Sequence, residues 1–149
     1  MESIFSKLTE EEIVKIVAIS ENVRFSPGNV IFKQDNEGDS IYIIKQGLVS
    51  LVKVNDLGED TEFTDVGEGA FLGELSILDG GPRVLTAVAI SDVECFKIPK
   101  LKLRLLLKYE PKIFLKFYLT IIKDMNQRLR RVNEEYVKIK EKLKKTEVV

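Results

Sequence analysis

All nine glycines of this 149-residue chain fall between positions 28 and 81, separated by short runs that are apolar or alternate apolar with polar residues. Glycine reaches positive φ without a Cβ penalty, so it marks the corners of a chain that turns often. Turns at this interval, between runs as rich in β-branched residues as Ile41-Tyr42-Ile43-Ile44 and residues 49–54, predict an antiparallel sandwich or barrel. The expected strands are 23–25, 30–33, 41–45, 48–54, 62–66, 85–90 and 93–98. Helical signals flank this section. Thr9 and Glu12 have the spacing of a capping box, and Ile13, Ile16 and Val17 give the following helix one apolar face. After Pro99, a leucine-rich stretch from Leu101 to Leu107 predicts a short buried helix that stops before Pro111.

Pro111 suits a first helical position and opens the longest periodic segment. Apolar residues stand at Leu115, Tyr118, Ile122, Met125, Leu129, Val132, Tyr136, Ile139 and Leu143, spaced alternately by three and four. This is an unbroken heptad stripe. From Lys123 onward every other face is polar, so the stripe needs a cover, either the body of the same chain or a second chain. Such a helix would run roughly 50 Å at 1.5 Å per residue, longer than a small barrel is wide. That favours a parallel homodimer through residues 111–145, with Glu135 and Lys140 at attracting g and e′ positions. Leucine at a with Val132 and Ile139 at d leaves the number of chains open. The expected layout is therefore a β domain with an N-terminal helix over residues 1–110 and a dimerisation helix over 111–149.

Composition removes whole classes of chemistry. With no histidine and the single cysteine Cys95, the chain lacks the materials for His-dependent triads, the usual haem ligand, a disulfide framework and Cys-rich zinc or iron–sulfur sites. No nucleophile–base constellation appears, so neither an enzyme nor a metal or cofactor site is expected. The 23 basic and 24 acidic residues nearly cancel, giving no whole-chain argument for nucleic-acid binding. The basic bias of residues 123–145 reads as a solvated face, and DNA binding is not expected. The first residues lack an apolar leader and the greasiest run is too short for a membrane span, so a cytoplasmic protein without membrane contact is expected.

One segment, residues 71–83, has the materials to bind an anion. Gly73 would turn the chain into a very short helix whose free amides, backed by the helix dipole, favour negative charge. Arg83 could return to the same spot with its planar fork, and Glu74 could accept from a hydroxyl beside a bound phosphate. The same residues also read as a helix-start carboxylate paired with Arg83, with the glycines as plain turns. The residues alone leave both readings open.

Residues 71–86 resemble the phosphate-binding cassette of the cyclic-nucleotide-binding domain family, F-G-E-L…P-R-x-x-T. Residues 38–49 are similar to that family's strand–turn–strand core, and Pro27-Gly28-Asn29-Val30-Ile31 to its first hairpin. The resemblance implies a mostly β fold with flanking helices: a double-stranded β-helix, or jelly roll, of about seven or eight antiparallel strands, carrying a long C-terminal dimerisation helix. It implies that the amides of Gly73, Leu75 and Ser76, with those of Val84 and Leu85 after the arginine, line a cyclic phosphate. Arg83 would pair with that phosphate and Glu74 would accept from the ribose 2′-hydroxyl. Leu51 and Phe63 match positions of the apolar wall beside ribose and base, though each also reads as core. The long helix would reach over the base; one alignment places Val132 and Asn133 there, and a gapless one places Arg128 there. Asn133 reads either as a contact to an adenine edge or as a solvated coiled-coil position.

Departures from the family pattern refine these expectations. Val84 and Leu85 are bulky where the family has small residues. Val84 lacks the hydroxyl that bonds guanine in members preferring cyclic GMP, which favours cyclic AMP. Leu72 stands between Phe71 and Gly73, as in some bacterial members. No helix-turn-helix follows the long helix, so the chain reads as a stand-alone receptor signalling through its dimer helix to an unidentified effector protein. The alternative is a ligandless dimeric interaction module of the same fold, its pocket closed by Val84 and Leu85.

Overall fold

The computed structural model describes residues 7–74 and 80–147; Leu75 and Ser76 lie outside them, as do the side chains of Glu62 and Phe63. Two four-stranded antiparallel sheets face each other. One has the order β1 (Glu21–Phe25), β8 (Val93–Pro99), β3 (Ser40–Gln46), β6 (Phe71–Leu72). The other has β2 (Val30–Phe32), β7 (Thr86–Ala89), β4 (Val49–Val54), β5 (Asp60–Val66). Helix α1 (Glu10–Ala18) precedes the sheets, and α2 (Lys100–Tyr109) and α3 (Pro111–Glu147) follow them. The expected mostly β class and long C-terminal helix are what the chain adopts. The seven expected strands are present, and the short β6 is an eighth among the described residues.

Strand β3 explains why its sequence is apolar throughout rather than alternating. Ile41 and Ile43 point to one side, into a core shared with Ile16, Phe71, Ile98, Leu103, Leu106, Ile113, Phe117 and Ile121. Tyr42 and Ile44 point the other way, into the inter-sheet core with Val49, Leu51, Leu72, Ala87, Val93 and Cys95. A strand covered on both faces has no solvent side to spend on polar residues. Strand β6 divides its two residues in the same way, Phe71 toward the helices and Leu72 between the sheets. Its brevity hides it from the period-two pattern.

The helices close the outer face of the first sheet. Thr9 caps α1 through the expected box, its hydroxyl accepting from the Glu12 amide at 3.2 Å and the Glu12 carboxylate accepting from the Thr9 amide at 3.0 Å. Glu12 also pairs with Lys116 of α3 at 2.7 Å, and Lys15 with Glu110 at 2.8 Å, so α1 is tied to the junction of α2 and α3. Helix α2 ends at Tyr109, one residue short of the position before Pro111, where helical backbone is disfavoured. The two C-terminal helices then fold against each other at this proline.

Helix α3 is anchored over its first half only. It buries Ile113, Phe117 and Ile121, a row at i, i+4 and i+8, with Phe117 edge-on to Phe71 at 5.7 Å between ring centroids. That row is not the heptad stripe. Leu115, Leu129, Val132, Tyr136, Ile139 and Leu143 of the stripe are exposed in the isolated chain.

Candidate functional site

The turn at Gly73 sets the geometry of the site. Its φ is +80°, and a Cβ added there would run into the guanidinium of Arg83. Only glycine fits both the backbone conformation and this close approach. Arg83 is 2% exposed. Its backbone is clamped to the turn after β2: the Asp35 amide donates to the Arg83 carbonyl, and the Arg83 amide donates to the Asn36 carbonyl, both at 2.8 Å. The side chain donates from Nη1 to the Gly73 carbonyl at 3.1 Å and from Nη2 to the Ser40 carbonyl at 2.7 Å. It also lies over the Phe32 ring, 4.3 Å from the centroid, and Asp39 stands 3.8 Å from Nη2. A fully charged group is thus held rigidly beside the glycine turn by carbonyls and a π face.

Glu74 is equally buried, at 5% exposed, and its ion-pair partner is Arg128 of α3, with Nη1 3.0 Å from Oε1. The plain structural reading, in which Glu74 pairs with Arg83, is not what the chain adopts. Arg128 donates from Nη2 to the Phe71 carbonyl at 2.8 Å and pairs with Asp124 one turn earlier at 3.0 Å. One guanidinium therefore ties the long helix to the segment carrying Gly73 and Glu74. Burial pushes the Glu74 carboxyl above the usual range, and the Arg128 charge offsets this only in part. Asp124 is raised for the same reason, again with Arg128 opposing.

These residues line one cavity of about 330 Å³. The sheets supply Phe32, Leu51, Thr64 and Leu72, the cassette supplies Gly73, Glu74, Arg83, Val84 and Leu85, and α3 supplies the wall from Met125 to Val132. Leu51, Gly73, Glu74, Arg83, Val84 and Leu85, singled out in the sequence, therefore come together here, along with Arg128 and Val132 of the two helix alignments. Val84 and Leu85 stand at the cavity edge without filling it; Val84 is largely exposed and Leu85 packs against the inter-sheet core. Phe63 lies on β5, with its side chain outside the described residues. Asn133 does not join them. It is exposed and absent from the cavity lining, because successive helical residues point about 100° apart and Val132 takes the inward direction. The residue of α3 that bonds to the cassette segment is Arg128, through Glu74 and the Phe71 carbonyl, whereas the gapless alignment puts it over the base. Asp124, its second carboxylate, carried no sequence signal beyond i, i+4 spacing.

Among the described residues no group of three or more His, Cys, Asp or Glu could hold a metal, and no helix is long and apolar enough to cross a membrane. The cavity instead offers an arginine, a carboxylate and a glycine turn on an apolar wall. Comparison with known proteins agrees. Residues 22–110 match the model of the cyclic nucleotide-binding domain. A cAMP-dependent protein kinase regulatory subunit of Blastocladiella emersonii is 33% identical over 97 residues, covering 65% of this chain and 24% of the relative. A CRP-like cAMP-activated global transcriptional regulator of Mycobacterium tuberculosis is 29% identical over 130 residues, covering 87% of this chain and 56% of the relative. The chain thus spans less than two thirds of the length of these curated relatives. The structure of the catabolite activator protein of Thermus thermophilus superposes with a TM-score of 0.78 at 25% identity, over 92% of this chain and 62% of that one. With a glycine turn, a buried arginine and a carboxylate gathered around one cavity in a matching jelly roll, this chain belongs to the cyclic nucleotide-binding domain family.

Proposed function

We propose that this chain is a cyclic-AMP receptor that passes ligand occupancy to a partner through α3. The observation that carries the reading is the single cavity in which Gly73, Glu74 and Arg83 meet the wall of α3. A cyclic phosphate seated at the Gly73 turn takes a charge-assisted bond from Arg83, drawing that guanidinium partly away from the Gly73 carbonyl. Glu74, held in place by Arg128, accepts from the ribose 2′-hydroxyl. The base lies toward Leu51, Val84 and Leu129, and Val84 offers it no hydroxyl, which favours adenine over guanine. Ligand contacts with both the cassette and α3 give the nucleotide a differential affinity for α3 positions, which is what a signal requires. The exposed stripe from Leu129 to Leu143 supplies the surface by which two copies pair.

Calorimetric titration of nucleotide-stripped protein with cyclic AMP, then cyclic GMP, tests this. Cyclic AMP should bind the more tightly. Arg83→Ala should lower its affinity by about 10- to 100-fold, as expected for loss of a hydrogen bond to a charged group. Unchanged affinity in the variant would remove the cassette assignment. Absence of binding by either nucleotide would leave a paired scaffold whose arginine and carboxylate serve only each other's elements.

A further inference from the structure

The outward side of α2 has no role in the nucleotide cavity, yet its sequence is strongly patterned. Of its ten residues only Leu103 and Leu106 are buried. Leu101, Leu105 and Tyr109, spaced at i, i+4 and i+8, form an apolar row that is 65%, 40% and 67% exposed. Lys100, Arg104 and Lys108, one residue earlier in each turn, form a parallel basic row. The helix holds no acidic residue, and among the described residues none of these three cations is ion-paired. In a chain of net charge −1 that concentrates basic charge at one place.

Beside the basic row the surface is concave. A groove of about 380 Å³ lies between α2 and α3 and reaches Ile41 and Gly80; Leu107, Phe114 and Tyr118 line it together with the buried Leu103, Phe117 and Ile121, and Lys100 and Arg104 line it beside them. Apolar and cationic lining together describe a receptacle for an apolar side chain flanked by carboxylates. The concavity distinguishes protein from lipid, since a bilayer surface is met by a convex apolar face and has no side chain to insert.

We propose that the α2–α3 face docks an acidic amphipathic helix of a partner protein, its apolar anchors seated in the groove and along the leucine row, its carboxylates on Lys100, Arg104 and Lys108. The lining residues Phe114 and Tyr118 belong to the same helix as Asp124 and Arg128, so the docked segment would feel any movement of α3.

The test uses the full chain and a fluorescent synthetic helix of about 18 residues with leucines at i, i+4 spacing beside a row of glutamates, read by anisotropy. A counterpart with lysines for the glutamates serves as control. Expected is binding of the acidic helix alone, weakening about tenfold or more between 50 and 200 mM salt because the contacts are charged. Arg104→Glu and Leu105→Asp should each reduce affinity by about tenfold, and Arg104→Glu, at an exposed position, should keep the parental melting temperature. Failure of the acidic helix to bind, or equal binding of both helices, would overturn the proposal. So would Arg104-dependent binding to phosphatidylserine vesicles without helix binding, which would make the partner a lipid surface. Self-association abolished by Leu105→Asp would overturn it in favour of a second copy.

Discussion

Gly73 and Glu74 do different work within one turn. Gly73→Ala forces a left-handed conformation on a residue with a Cβ and drives that Cβ into Arg83, so the guanidinium must leave its carbonyls. The expected loss is about 1–2 kcal/mol of stability from the backbone alone, read from urea denaturation, with a lowered cyclic-AMP affinity beside it. Glu74 governs a pH dependence. Burial raises its folded pKa above the ordinary 4.5, so between that value and the folded pKa the native state holds a proton that the unfolded chain has released. Stability therefore falls as pH rises through this window, and Asp124 adds a fall of the same sign from 3.8 upward. Glu74→Gln should flatten the decline in denaturation midpoints measured from pH 4 to 7; an unaltered slope would place the effect elsewhere. The cassette residues were legible because they sit within thirteen positions of one another and carry a family pattern. Arg128, 54 positions from Glu74, was visible only as one of two alignments, since heptad spacing alone does not show which polar helix residue turns inward.

Helix α3 carries two apolar rows that the sequence superimposes. The three-four stripe dominates the pattern because it runs the whole length, whereas Ile113, Phe117 and Ile121 occupy only the first three turns. Both are real, and they predict opposite phenotypes. Phe117→Ala removes a ring packed on Phe71 and should destabilise the fold by about 3–5 kcal/mol, measured by thermal or chemical melting. Leu129→Glu combined with Ile139→Glu alters only exposed positions of one chain, so the β body should keep its circular dichroism. The same pair should abolish self-association in sedimentation equilibrium, because it buries two carboxylates in a dimer seam. A variant that sediments like the parent would exclude pairing through this stripe. The strands were read closely from glycine corners and β-branched runs; β6 escaped because two residues cannot show an alternation.

Across the molecule, the two cores lie on opposite sides of a single sheet, and Cys95 sits wholly enclosed in the inner one. Burial pushes its thiol up to about 12, so almost no thiolate forms near neutrality. A thiol reagent at pH 8 should react with the native protein only as fast as the body opens, and at once in 6 M guanidinium, so the reaction measures global unfolding; rapid native reaction would contradict the enclosure. Heptad spacing did not show the division of α3 into a seated half and a projecting half, which depends on where the folded body ends. Mechanically, that division makes α3 a lever with its fulcrum at Arg128. The 19 residues beyond it extend about 28 Å at 1.5 Å per residue, so a tilt of about 10° at the fulcrum sweeps the tip through about 5 Å. A displacement too small to disturb the packing of Phe117 would thus arrive at the far end as a sideways shift of about 5 Å.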